Sequence, residues 1–220
     1  MWVTRFTLAK KSWSGVSKQQ RIGLLGGTFD PPHWGHLWLA ELARVQLHLD
    51  RVLFLPVGDP VHKQGRVITA VSHRLQMVSL AIQESPHFEL DTTDCTRPEP
   101  HTTVTLLPLL RQRYPDSAFW LLIGGDSLRE LPTWTEPAQL IQACRLAVLP
   151  RPGAKVDWEI LETAVPGIKT AVDLLDGPTL SISATAIRAW AKQGHEPNYL
   201  VPTAVATYLH QHQLYQPQNA

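Results

Sequence analysis

The chain is poor in the features that mark secreted, membrane-spanning or nucleic-acid-coating proteins. It has 2 cysteines in 220 residues, Cys95 and Cys144, far apart and with no paired spacing. That argues against a disulfide scaffold, a zinc site or a redox motif, and reads as two reduced, buried thiols. No apolar run approaches the roughly 18 to 20 residues of a membrane-spanning helix, and no apolar N-terminal stretch resembles a secretion signal. The expectation is a cytoplasmic protein. An excess of charge of one sign is also missing, since 20 Lys and Arg face 19 Asp and Glu for a formal net charge of +1. Proteins that coat nucleic acid usually carry a clear basic excess, so small-molecule chemistry fits better. No internal repeat or low-complexity tract is visible.

What is present is ordinary for a globular chain, with 44% hydrophobic and 18% charged residues. The length suits one large domain with a sizeable core. Residues 1–20 carry Arg5, Lys10, Lys11 and Lys18 and no acidic residue, a composition shared by organellar transit peptides and by plain extensions. They are read as an N-terminal extension outside the fold, residues 21–215 as one domain, and residues 216–220 as a tail.

Within that domain, RIGLLGG (21–27), RVLFLPVG (51–58), SAFWLLIGG (117–125) and RLAVLPRPG (145–153) are continuous apolar runs ending in Gly or Pro. Such runs suit strands covered on both faces. A shorter strand is expected over 88–91. Apolar spacing predicts helices over 37–47, 72–84, 104–114, 183–193 and 203–213, the last packing on the sheet edge. Ser183 is the expected cap of its helix and Gly194 the stop. Little pattern is visible over 157–176. The alternation predicts an α/β fold, a doubly wound parallel sheet in three layers.

In such a sheet the first strand end commonly supplies a phosphate cradle. Here it reads GGTFDPPHWGH, residues 26–36. Gly26 and Gly27 let the backbone turn tightly and approach an anion, and Pro31 and Pro32 stiffen the turn. If a helix begins near residues 34–35, His33 and His36 project from its first turn on similar sides, where the helix dipole favours negative charge. A triphosphate is the natural occupant. Two imidazoles at this spacing also suit a metal, but no third ligand lies nearby, and no metal-ligand set is assigned. SISATAIR, residues 181–188, reads by itself as a capped helix start carrying a solvated arginine.

Together these segments bear a resemblance. GGTFDPPHWGH is similar to the GxFDPxHxGH signature of the nucleotidylyltransferase superfamily, and SISATAIR resembles its ISSTxIR segment, with Ala184 in place of the second serine. The resemblance implies a Rossmann-like fold and transfer of a nucleotidyl group with release of pyrophosphate. It implies catalytic roles for His33, His36 and Arg188. It also implies an ATP site built from Gly26, Gly27, Thr28, Phe29, His33, His36, Gly125, Asp126, Ser127, Ile182, Ser183, Thr185 and Arg188, with Mg²⁺ accompanying ATP.

Further segments resemble the bacterial nicotinate mononucleotide adenylyltransferases: PVGDPVHK (56–63), HRLQMVSLAI (73–82), IGGDSLRELPTW (123–134) and LVPTAVATYLHQHQLY (200–215). The resemblance spans residues 21–215 and implies nicotinate mononucleotide as acceptor, deamido-NAD as product, and a place in NAD biosynthesis. Lys63, Thr103 and Trp134 are the implied acceptor contacts. Lys63 offers charge to a phosphate or carboxylate or is a solvated loop lysine. Trp134 stacks on the pyridine ring or covers core. Around Thr103 the family's PSYTxxTL is PHTTVTLL here, and His101 is a candidate partner of the nicotinate carboxylate. Nicotinamide mononucleotide as acceptor and a silent nucleotide-binding protein are the competing readings. The expected partners are small molecules, with neither nucleic acid nor membrane, and the sequence leaves homo-oligomerisation open. Mobility is expected over 57–69.

Overall fold

The computed structural model describes residues 19–58, 68–150 and 156–216. Lys63, most of the stretch expected to be mobile, and residues 1–18 of the N-terminal extension lie outside them.

The chain begins with β1 (Arg21–Gly27), α1 (Trp34–Gln46), β2 (Arg51–Pro56), α2 (Val71–Ile82) and β3 (Phe88–Leu90). There follow a four-residue α3 (Thr93–Thr96), α4 (Thr103–Arg113), β4 (Ala118–Gly124), α5 (Gly125–Glu130), a single 3-10 turn (Leu131–Thr133), α6 (Pro137–Ala143) and β5 (Arg145–Leu149). The remainder is α7 (Trp158–Ala164), α8 (Ile168–Ala171), β6 (Val172–Leu174), α9 (Ala184–Lys192) and α10 (Thr203–Gln211). All strand pairs are parallel, in the order β3-β2-β1-β4-β5-β6.

Strand alternation builds the two faces, because successive side chains point to opposite sides. Ile22, Leu24, Leu53, Leu55, Phe119, Leu121, Ile123, Leu146 and Val148 face one core, shared with α4, α6 and α7. Leu25, Val52, Phe54, Trp120, Leu122 and Ala147 face the other, shared with α1 and α2. The expected three-layer, doubly wound sheet is therefore observed. At Gly23 an added Cβ would stand 2.9 Å from Leu49 Cδ1 and 3.1 Å from Val52 Cγ2, so the glycine permits the close packing below α1.

Three sequence expectations are corrected. Residues 157–176 hold two helices and β6, the sixth strand. The strand is three residues long and its middle one, Asp173, is polar, which hides any apolar pattern. The carboxylate accepts from Arg145 Nε at 2.7 Å and Trp120 Nε1 at 2.9 Å. The terminal helix α10 packs not on the sheet edge but on α2 and α9. Val205 and Leu209 join Met77 and Ile187 in a small third core there. Cys144 is buried as expected, and burial pushes its thiol up to about 12. Cys95 is only half-buried.

Candidate active site

The sheet opens where the strand order reverses. β1 and β4 pair from Arg21↔Ala118 to Leu24↔Leu121, yet β1 runs on to Gly27 and β4 to Gly124. These last residues pair outward instead, Gly27 with Pro56 and Gly124 with Leu149. The two strand ends thus part and leave a crevice at the switch point, the place where ligands settle in open parallel sheets. A Cβ added at Gly26 or at Gly124 would meet nothing within 4 Å. Gly27 instead covers the Phe29 ring, 3.2 Å from its would-be Cβ.

From this crevice the chain passes through Thr28 and Phe29 to α1. Phe29 takes φ +50° and its side chain is buried. The ring therefore serves the core and the histidine beside it, its centroid 4.9 Å from that of the His36 ring in an edge-to-face arrangement. His33 is the N-cap residue of α1, and the His33 and His36 rings stack with centroids 3.8 Å apart. The expectation that the two imidazoles share one side of the first turn holds. The His33 backbone N–H donates to His36 Nδ1 at 3.1 Å. An accepting Nδ1 carries no proton, so the neutral His36 imidazole holds its proton on Nε2. His33 is 7% exposed, and its Nδ1 has no hydrogen-bond partner. A buried polar atom without a partner at a helix N-terminus suits a site that binds a polar ligand.

Burial pushes the His33 imidazole from 6.5 down to about 4, so it is neutral near pH 7. A base whose folded value lies below its unfolded one contributes stability above about pH 6.5, and loses it as pH falls through about 4. The difference corresponds to about 3 kcal/mol as an upper bound. We expect the melting temperature to fall on acidification from pH 7 to 4, and to fall less in His33→Asn. Equal slopes for the two proteins would contradict this.

The arginine from the far end of the chain reaches the same loop. Arg188, on α9, donates from Nη1 to the backbone oxygen of Asp30 at 2.6 Å, three residues before His33. Nη2 lies 3.4 Å from Thr185 Oγ1. A guanidinium has five N–H donors, so these two contacts leave three for a ligand. Ser183 caps α9, its hydroxyl accepting from the Ala186 N–H at 3.2 Å, and Gly194 stops the helix with φ +83°. Ile182 lies close to α1, its carbonyl 3.8 Å from where a Gly35 Cβ would stand. On the other wall of the crevice, Gly125 is buried as the first residue of α5. Asp126 pairs with Arg129, and Ser127 follows in the same turn.

A family model for cytidylyltransferase-like proteins matches residues 24–190. A Thermomicrobium roseum protein named "probable nicotinate-nucleotide adenylyltransferase" is 45% identical over 195 residues, covering 89% of this chain and 91% of the relative. A Synechococcus protein of the same name is 40% identical, covering 90% and 96%. The chain belongs to the cytidylyltransferase-like family, among the nicotinate-nucleotide adenylyltransferases. The Plasmodium falciparum nicotinic acid mononucleotide adenylyltransferase complexed with NaAD has the same fold. Its TM-score is 0.72 at 20% identity, with 90% of this chain and 98% of that one covered.

A nucleotidyltransferase needs room for an acceptor beside its triphosphate. A cleft of about 510 Å³ is lined by His101, Thr102, Thr103, Glu130, Thr133 and Trp134. Thr103 and Trp134, expected at the acceptor, are therefore together, and His101 is with them. Trp134 packs against the larger core and also lines this cleft. The His101 ring lies against Gly58, whose would-be Cβ is 2.7 Å from it.

Arg74 ties together the loops that follow β1 and β2, and the sequence did not mark it. It is 2% exposed. Its guanidinium donates to Thr28 O at 3.0 Å, Thr69 O at 3.0 Å, Val57 O at 2.8 Å and Gly58 O at 2.7 Å. The loop after β1 is thereby fixed to the loop after β2. Gly35 was also passed over. A Cβ there would stand 3.0 Å from His33 Nδ1, so the glycine makes room for the imidazole.

Among the described residues, no group of three or more His, Cys, Asp or Glu side chains could hold a metal ion. No helix there is long and apolar enough to cross a membrane.

Proposed function

We propose that the protein transfers the AMP part of ATP to nicotinate mononucleotide, giving deamido-NAD and pyrophosphate, as a cytoplasmic step of NAD biosynthesis. One domain, residues 21–215, carries the activity. The observation that supports this reading most strongly is the 2.6 Å contact of Arg188 with the Asp30 carbonyl. It brings the guanidinium to the loop that leads into both histidines at the start of α1.

A phosphate oxygen of the acceptor attacks the α-phosphorus of ATP, and the bond from that phosphorus to the bridging oxygen breaks. Pyrophosphate leaves with the electron pair. An acceptor phosphate is already ionised at neutral pH, so the protein needs no general base. Its work is alignment and charge stabilisation. His36 donates its Nε2 proton as a hydrogen bond to the transferred phosphate, and His33 lines the same cradle at the start of α1. Arg188 offsets charge that grows on the leaving pyrophosphate. Gly26 and Gly124 leave the crevice unobstructed, while Gly125, Asp126 and Ser127 face the adenosine. Ile182, Ser183 and Thr185 bring the start of α9 to the outer phosphates. Thr103, Trp134 and Lys63 hold the acceptor.

The donor substrate is ATP with its Mg²⁺, which neutralises triphosphate charge. Phosphate oxygens and water would supply most of that ion's ligands. Neither nucleic acid nor a membrane takes part. Pyrophosphate release measured with nicotinate mononucleotide, nicotinamide mononucleotide and phosphopantetheine tests the reading. The expected result is the highest kcat/KM with nicotinate mononucleotide. No release with any acceptor would point to a silent nucleotide-binding protein.

A further inference from the structure

Beyond the residues given roles above, one buried carboxylate touches three distant parts of the chain. Asp30 is 4% exposed. Its Oδ1 accepts from the Tyr215 hydroxyl at 2.6 Å, across 185 residues of sequence. Its Oδ2 accepts from the Thr69 backbone N–H at 3.4 Å and lies 4.0 Å from Arg188 Nη1. Its own carbonyl receives Arg188. Tyr215 packs its ring on the third core, against the group that includes Met77, Ile187 and Leu209, and holds a backbone φ of +66°. A non-glycine residue in that region is uncommon, so the surrounding contacts must fix it there.

We propose that Tyr215 and Asp30 form a latch that positions Arg188 for the triphosphate, which makes the penultimate segment of the chain a working part of the nucleotide site. The inference rests on the assignment of Arg188 to the phosphates made above. Arg188 sits on a partly exposed helix face, and a long side chain there would otherwise sample many rotamers. The Asp30 carbonyl anchors Nη1 and thereby aims the remaining donors. That carbonyl can do so only while the Asp30 side chain stays fixed, and Tyr215 supplies its shortest side-chain contact. Burial beside the carboxylate raises the phenol's pKa, so the hydroxyl remains a donor throughout the working pH range. Without it, Oδ1 would be a buried acceptor with no partner and would seek another arrangement. Asp30 and Tyr215 are positioning residues, because they act on the reaction through Arg188.

Tyr215→Phe deletes the hydroxyl and keeps the ring in its core. It is expected to lower kcat/KM for ATP about tenfold, leave the KM of the acceptor unchanged, and move the melting temperature by only a few degrees. In an Arg188→Lys background, which cannot keep the same two-point contact, the phenylalanine should add little further loss. Asp30→Asn breaks the network from its other side with Tyr215 in place, and should reproduce the pattern. Parent-like kinetics would overturn the latch, as would losses that multiply in the double variant. So would a fall in both substrates' kcat/KM that tracks a lower melting temperature. If the parent itself released no pyrophosphate, the proposed reaction would be wrong but the latch would still be decided. Titration calorimetry with Mg·ATP should then give about tenfold weaker binding for Tyr215→Phe, and equal affinities would refute it.

Discussion

His36→Ala is expected to lower turnover by about two to three orders of magnitude, the loss seen when one donor aimed at transition-state charge is deleted. The size follows from how fully the ring is committed. Its Nδ1 is taken by the His33 backbone N–H at 3.1 Å, which fixes the proton on Nε2. Its faces and edge are set by His33 at 3.8 Å and by Phe29 at 4.9 Å between centroids. Such a donor needs no reorganisation as charge develops. The alanine variant also leaves the His33 N–H without its partner, which could mimic a catalytic loss by loosening the turn. His36→Asn separates the two effects, since its amide oxygen can still accept from that N–H while no donor stands at the Nε2 position. The asparagine variant should therefore lose about as much turnover with little loss of thermal stability. Near-parent turnover in either variant, measured by pyrophosphate release at saturating substrates, would exclude the role.

Arg188→Gln should lower kcat/KM for ATP about a hundredfold, roughly 3 kcal/mol, while the acceptor KM changes little. Two contributions combine. On the proposed reading the guanidinium bridges the Asp30 carbonyl and the polyanion together, and it brings a full charge to a site walled by apolar strands, where screening by water is weak. Arg188→Lys restores the charge but not the planar fork, so it should recover only part of the loss. Complete rescue by lysine would show that the point charge alone matters and that the Asp30 contact is incidental.

The sequence made much of the fold legible because the central strands are apolar on both faces and end in glycine or proline. β6 was not legible, since Asp173 sits in the middle of a three-residue strand and is satisfied by Arg145 from β5 and Trp120 from β4. The placement of α10 was missed for a related reason. Its apolar stripe declared that it packs, and only the fold shows that Met77 of α2 and Ile187 of α9 receive it.

At the site, the glycines and paired histidines stood out because their chemistry is unusual at a strand end. Asp30 lay inside the same eleven-residue motif, yet an aspartate before proline reads as turn chemistry, and its partner Tyr215 is 185 residues away. Arg74 reads as the polar face of an amphipathic helix. Its burial depends on four carbonyl oxygens from the connections after β1 and β2, a set of acceptors that no side-chain pattern announces. Trp134 could be read either as stacking surface or as core cover; it packs against the core and also lines the cleft.

The central claim is that imidazoles from the start of α1 and a guanidinium from α9 grip one polyanion in the crevice between β1 and β4. A crystal structure with a non-hydrolysable ATP analogue tests it most directly. The account predicts phosphate oxygens within about 3 Å of both His36 Nε2 and the Arg188 guanidinium, with the phosphates beside Gly26. A triphosphate bound elsewhere, or touching the histidines while Arg188 points away, would contradict it.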